Sequence, residues 1–221
     1  MSIATQIKHF ATTLPQGVQL IAVSKTRTAE EITIAYNAGQ RLFGENRVQE
    51  LVAKHEHLPK DINWHFIGHL QTNKVKDIAP FIQLIHSVDS MRLLKEINKE
   101  GLLQQREINC LLEFHIAKEE SKFGLNVEEA CSILASPDFI EMKNVKVCGV
   151  MGMATFTVDV DQQRLEFNKL KTIFMQLKSQ FFVSDAGFKE ISMGMSDDYK
   201  VAIEEGSSLI RVGTAIFGDR T

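Results

Sequence analysis

Eight short apolar runs, each separated from the next by a longer segment with helical spacing, constrain the fold of this 221-residue chain more than any other feature. The runs fall at 18–23, 42–43, 64–67, 84–86, 110–115, 146–151, 190–193 and 209–212. Most are near-continuous apolar stretches of the kind found in strands buried on both faces. Between them, apolar residues recur at helical period over 29–38, 48–57, 71–78, 91–101, 127–134, 162–179 and 197–204. A further amphipathic helix precedes the first run, with Ile3, Ile7, Phe10 and Leu14 on its inner face. Strict strand–helix alternation implies parallel strands joined by helical crossovers. Eight such units predict an α/β protein, a (β/α)8 TIM barrel, rather than an open doubly wound sheet, which commonly has fewer strands. The runs at 42–43 and 190–193 carry the weakest signal, and losing one would turn the pattern into a flavodoxin-like sheet. No linker-like composition divides the chain, so residues 1–221 are expected to form a single domain.

With 44% hydrophobic and 24% charged residues the chain can bury a sizeable core. A net charge of -3 and the lack of any like-charge block argue against nucleic acid as a partner. Cys110, Cys131 and Cys148 are widely separated, which favours buried reduced thiols over a disulfide framework or a metal site. No apolar run reaches membrane-spanning length and the first residues lack a signal-peptide core. These features lead us to expect a cytoplasmic monomer with no membrane anchor and no bound metal.

A barrel gathers functional side chains at the carboxyl ends of its strands. Those positions carry Ser24-Lys25, Gly44-Glu45-Asn46-Arg47, Gly68-His69, Ser87-Val88-Asp89, Ser121-Lys122-Phe123-Gly124, Gly152-Met153, Gly194-Met195-Ser196-Asp197 and Gly213-Thr214. Lys25 follows a buried strand, where apolar surroundings can strip an amine of its proton and make it a nucleophile for Schiff-base chemistry. The competing reading is a lysine that snorkels to solvent. On the last two loops, Ser196 is expected to cap a helix beginning at Asp197, and the backbone of Gly213 and Thr214 can approach a phosphate closely. Arg211 would then either point into the barrel mouth and donate to a ring nitrogen or make a structural ion pair. An amine for a carbonyl and a corner for a phosphate fit two ligand classes: pyridoxal phosphate, or a sugar phosphate in a Schiff-base aldolase. His65 and His69 do not form a metal-protease pattern, and His69 is expected to hydrogen-bond a ligand or a neighbouring loop. Asp197, Asp198, Glu204 and Glu205 read as solvated helix ends. Met151, Met153, Met193 and Met195 read as packing of the barrel mouth or as walls for an aromatic ring.

Taken together, Val23-Ser24-Lys25-Thr26, the segment 43–50, the segment 65–71 with Asn73-Lys74, His86-Ser87-Val88-Asp89, the segments 121–124, 149–153 and 192–198, and the ending 211–218 closely resemble the pyridoxal phosphate homeostasis protein family, from about residue 18 onward. The resemblance implies a barrel similar to the N-terminal domain of alanine racemase (PLP fold type III) without the C-terminal β-domain. It also implies pyridoxal phosphate held as a Schiff base on Lys25, Arg211 facing the pyridine nitrogen, Ser196, Gly213 and Thr214 at the phosphate, and Asn46 and His69 lining the pocket. Two segments depart from the family pattern: Glu113-Phe114-His115, where relatives tend to have a strand ending in asparagine, and Ala154-Thr155-Phe156, where a proline is common. Alanine racemase uses a tyrosine as its second base, whereas Tyr36 and Tyr199 here sit in helical patterns. A cation beside the ring nitrogen would weaken the cofactor as an electron sink. The expected function is therefore a carrier or regulator in intracellular pyridoxal phosphate homeostasis, passing the cofactor to PLP-dependent apo-enzymes without robust catalysis. The alternative is a weak PLP-dependent amino-acid racemase.

Overall fold

Each of the eight apolar runs becomes a strand, and the strands close on themselves. In the computed structural model, which describes residues 2–118 and 124–219, they are β1 (Gln19–Val23), β2 (Leu42–Glu45), β3 (Asn63–Phe66), β4 (Leu84–Val88), β5 (Ile108–Phe114), β6 (Val145–Gly152), β7 (Glu190–Ser192) and β8 (Leu209–Val212). All pairings are parallel and follow chain order, and β8 returns to β1 with Gln19 opposite Leu209 and Ala22 opposite Val212. Closure leaves no exposed sheet edge. The register slips between Cys110 and Leu111 of β5, where Gly149 on β6 lets the sheet kink.

The outer ring consists of α1 (Ile3–Thr13), α2 (Ala29–Asn37), α3 (Val48–His57), α4 (Val75–Ile78), α5 (Met91–Leu103), α6 (Val127–Leu134), α7 (Pro137–Ile140), α8 (Val160–Phe181), α9 (Tyr199–Glu204) and α10 (Thr214–Phe217). Local signals start several of them. Thr28 and Glu31 form a reciprocal capping box at α2, Asn126 and Glu129 do the same at α6, and Ser90 and Asp159 cap α5 and α8. Side chains facing outward from the sheet, such as Phe43, Trp64, Phe66 and Ile85, pack with the helices into one continuous core. Inward-facing Ile21, Leu84, Leu111, Met151 and Leu209 form a second, smaller core within the barrel.

The structure corrects several expected boundaries. The helix expected over 71–78 is a 3-10 turn at Thr72–Lys74 followed by one turn of α4. The helix expected to begin at Asp197 begins at Tyr199, so Ser196 is not its N-cap. The short α7 and α10 have too few residues to show a periodic pattern and were not expected. Cys110 is buried, but Cys131 and Cys148 are only half-buried, because they lie on an outer helix and near the barrel's lower mouth. Ser121, Lys122 and Phe123 lie outside the described residues. Among the described residues, no helix is long and apolar enough to cross a membrane.

Candidate functional site

Lys25 stands on a loop whose two flanks are fixed to neighbouring elements. Before it, buried Ser24 donates through Oγ to Glu45 Oε1 at the end of β2, over 2.5 Å. The Lys54 ammonium from α3 bridges the Ser24 carbonyl and the same Glu45 oxygen, each at 2.8 Å. After it, the Thr26 amide donates to Glu50 Oε2 at 2.9 Å. Thr26 has φ 65, a left-handed conformation that is costly for a β-branched residue. The backbone around the lysine is therefore held by contacts outside the loop itself. Burial pushes the Glu45 carboxyl upward from its ordinary pKa, against the pull of Lys54 and the Ser24 hydroxyl.

Lys25 opens onto a cavity of about 400 Å³ at the carboxyl ends of the strands, within the usual size range for small-molecule sites. All seven residues expected to bind a cofactor (Lys25, Asn46, His69, Ser196, Arg211, Gly213 and Thr214) line this one cavity. Asn46 and His69 belong to stacked loops: a Cβ on Gly68 would fall 2.4 Å from the Asn46 carbonyl oxygen, so only glycine allows the two loops to touch. His69 Nδ1 lies 3.5 Å from Asp89 Oδ2. Ser196 Oγ accepts from the amides of Gly213 and Ala215 at 3.3 and 3.4 Å, tying the loop after β7 to the start of α10. Arg27 bonds the carbonyls of Gly218 and Asp219 just beyond α10.

Arg211 is buried at the floor of the cavity. Its Nη1 donates to Ser192 Oγ at 2.6 Å and its Nη2 to the Gly152 carbonyl at 3.1 Å. Burial lowers its pKa to about 10, which leaves it a cation at neutral pH. Glu113, from β5, also lines the cavity and is buried; desolvation, aided by the nearby Asp89 charge, raises its pKa to about 7 in spite of Arg211. Glu113 was noted in the sequence only as a departure from a family pattern. The usable signal was its spacing: Leu111 and Glu113 share the inward face of an otherwise apolar strand.

Of the four acidic residues expected at solvated helix ends, Asp197 and Glu204 are exposed, whereas Asp198 is buried and Glu205 is partly buried. Asp198 is buried, not solvated, and its carboxylate accepts the Met195 amide at 2.6 Å as part of the turn that enters α9. Glu204 and Glu205 both meet the Arg164 guanidinium, each at 2.6 Å. The methionines divide: Met153 and Met195 line the cavity, Met151 fills the barrel interior and Met193 packs outward.

The family model described as the alanine racemase N-terminal domain matches residues 1–221. A protein named pyridoxal phosphate homeostasis protein from Aquifex aeolicus is 39% identical over 203 residues, covering 91% of this chain and 87% of the relative. Its namesake from Synechocystis is 38% identical over 210 residues, covering 94% of each. This chain belongs to the pyridoxal phosphate homeostasis protein family. Among solved structures of relatives, PipY of Synechococcus elongatus, determined with PLP bound, superposes with a TM-score of 0.89 at 35% identity, covering 98% of this chain and all of that one. Alanine racemase of Bartonella henselae shares the fold at 14% identity, with a TM-score of 0.73 over 99% of this chain and 60% of that one. Membership in the family agrees with the resemblance carried by the sequence blocks, and the closed eight-stranded barrel agrees with the expected fold.

Proposed function

We propose that this protein binds pyridoxal 5'-phosphate covalently through Lys25 and serves in the intracellular homeostasis of that cofactor. The observation that carries the reading is the convergence of three chemistries on one cavity: the Lys25 amine, the Arg211 guanidinium, and a polar corner made by the hydroxyls of Ser196 and Thr214 beside the Gly213 backbone. They fit the ligand's three polar features, its aldehyde, its ring nitrogen and its phosphate. Met153 and Met195 supply apolar surface suited to a ring face. Membership in a family whose relatives carry the homeostasis name, and a PLP-bound relative with the same fold, support the same conclusion.

When bound, pyridoxal phosphate supplies an electron-withdrawing ring able to stabilise negative charge on an attached carbon. In this chain Arg211 would donate a hydrogen bond to the ring nitrogen without surrendering its proton, since its pKa of about 10 lies well above neutrality. A donor of that kind keeps the ring nitrogen unprotonated and the electron sink weak, which favours holding over turnover. Asn46 and His69 would line the ring's edge. Function as a cytoplasmic monomer that hands its cargo to apo-enzymes is the corresponding physiological reading.

The test is incubation of the purified protein with pyridoxal phosphate, monitored by visible absorbance and by mass spectrometry after borohydride reduction. A new absorption band with the adduct on Lys25, both absent in Lys25→Ala, is the expected result. Absence of any adduct in the unmodified protein would refute the proposal.

One observation favours weak racemase activity as a second reading: Glu113 offers a group with a pKa of about 7 in the same cavity as Lys25. Incubating the loaded protein with single enantiomers of amino acids in deuterated water decides between the two. Sustained exchange at Cα would favour the enzyme, and its absence the carrier.

A further inference from the structure

A hydrogen-bonded chain runs through the barrel interior beneath the cavity. His65 Nδ1 lies 2.9 Å from His86 Nε2, His86 Nδ1 lies 2.8 Å from Ser192 Oγ, and Ser192 Oγ accepts from Arg211 Nη1 at 2.6 Å. All four residues are buried. They come from β3, β4, β7 and β8, so the contact between His86 and Ser192 joins two strands that are not neighbours in the sheet. His65 also lines a second cavity, of about 370 Å³, at the opposite mouth of the barrel.

The polarity of this chain follows from its arginine end. A guanidinium has only donors, so Ser192 must accept from Arg211. The single hydroxyl proton of Ser192 then has His86 Nδ1 as its acceptor. His86 must carry its own proton on Nε2 and donate it to His65 Nδ1, which leaves the His65 proton on Nε2. The opposite polarity would strand two groups, the Ser192 hydroxyl proton and the His65 Nε2 lone pair. The inferred polarity strands only one, the His65 Nε2–H, because that nitrogen is buried without a partner among the described residues in either polarity.

We propose that His65, His86 and Ser192 are positioning residues for Arg211: a chain of fixed polarity that holds the guanidinium in one orientation and keeps both imidazoles neutral in the Nε2–H tautomer. Neither histidine then exchanges protons with the cavity, although both lie beneath it. Burial disfavours charge on both rings, and His86 additionally feels the positive Arg211. The remaining charged groups around Arg211 are Glu113 and Asp198, which act on the guanidinium from β5 and from the turn before α9. The consequence for the cofactor rests on the function proposed above, through the assignment of Arg211 to the ring nitrogen.

The chain itself is tested without ligand, by histidine ring 15N NMR of the full-length protein from about pH 6 to about pH 8, where an ordinary imidazole changes charge. Both rings should be neutral with the proton on Nε2 throughout. A proton on Nδ1 of either ring, or a doubly protonated ring, would overturn the proposal even if pyridoxal phosphate binds normally. In Ser192→Ala, pyridoxal phosphate should dissociate about tenfold faster, the size expected from losing a charge-assisted hydrogen bond that orients the arginine. Ser192→Thr, which retains the hydroxyl, should restore the parent rate. An unchanged dissociation rate in Ser192→Ala would overturn the positioning role. If the tautomers are as stated but no cofactor binds, the proposed function fails and the chain stands.

Discussion

Ser24 Oγ donates to Glu45 Oε1 over 2.5 Å, fixing the residue before Lys25 to the end of the neighbouring strand. Glu45 is fully buried, and its other oxygen, Oε2, has no hydrogen-bond partner among the described residues. The pair is therefore stable only while Lys54 stands against the same carboxylate. Lys54→Met should destabilise the protein by about 3 kcal/mol, as expected when one member of a buried ion pair is removed. Adding Glu45→Gln should recover part of that loss, since the stranded charge is gone. Urea denaturation of both variants measures the effect, and a Lys54→Met protein as stable as the parent would show that the buried carboxylate does not depend on its cation.

Thr26 gives a second handle on the lysine loop. Its left-handed backbone costs about 1–3 kcal/mol, whereas glycine there would cost only about 1 kcal/mol of added chain entropy. Thr26→Gly should leave stability unchanged or raise it by about 1 kcal/mol, while slowing attachment of pyridoxal phosphate to Lys25 because the loop is less rigid. Thermal denaturation and stopped-flow absorbance read the two effects separately.

Glu113 makes stability depend on pH in a predictable direction. Its folded pKa of about 7 lies above the ordinary 4.5, so between these values the folded state binds more protons than the unfolded state. Its contribution is fully present below about pH 4.5 and is lost as pH rises through about 7, with a limit of about 3 kcal/mol. Glu113→Gln should therefore be more stable than the parent at about pH 8, with the difference shrinking toward acid pH. Denaturant midpoints measured across that range provide the check; parallel curves for the two proteins would mean the carboxyl titrates normally.

Gly68 is where the His69 loop touches the Asn46 loop, and an added Cβ would strike backbone atoms of Asn46 at 2.4 and 2.8 Å. Because backbone cannot rotate aside, Gly68→Ala should destabilise the protein by about 1–3 kcal/mol and weaken cofactor binding by displacing Asn46. Spectroscopic titration with pyridoxal phosphate, alongside denaturation, tests both parts.

The barrel was legible in the sequence because buried parallel strands and amphipathic helices announce themselves by period, and even the short β2 and β7 fell where their apolar runs lay. The Lys25, Arg211 and Gly213 positions were legible for a related reason: strand ends converge on one rim. Contacts across the barrel were not. Residues 86 and 192 are 106 positions apart and sit on strands that never pair, so neither periodicity nor strand order brings them together. Ser196 was assigned to the wrong partner because a serine before two aspartates reads as a helix cap. Its hydroxyl instead accepts amides from the next loop, and the turn is closed by Asp198.

Gly149 has a wider bearing on how far this scaffold can be altered. A methyl group there would lie 1.8 Å from the Glu190 carbonyl, so β6 and β7 can meet only because that atom is missing. Gly152 and Ser192, the two acceptors of the Arg211 guanidinium, stand at the upper ends of these same strands. The seam of the cylinder and the floor of its pocket thus share one point of failure. Attempts to recruit this barrel for other ligands have latitude in the rim loops and almost none along that seam.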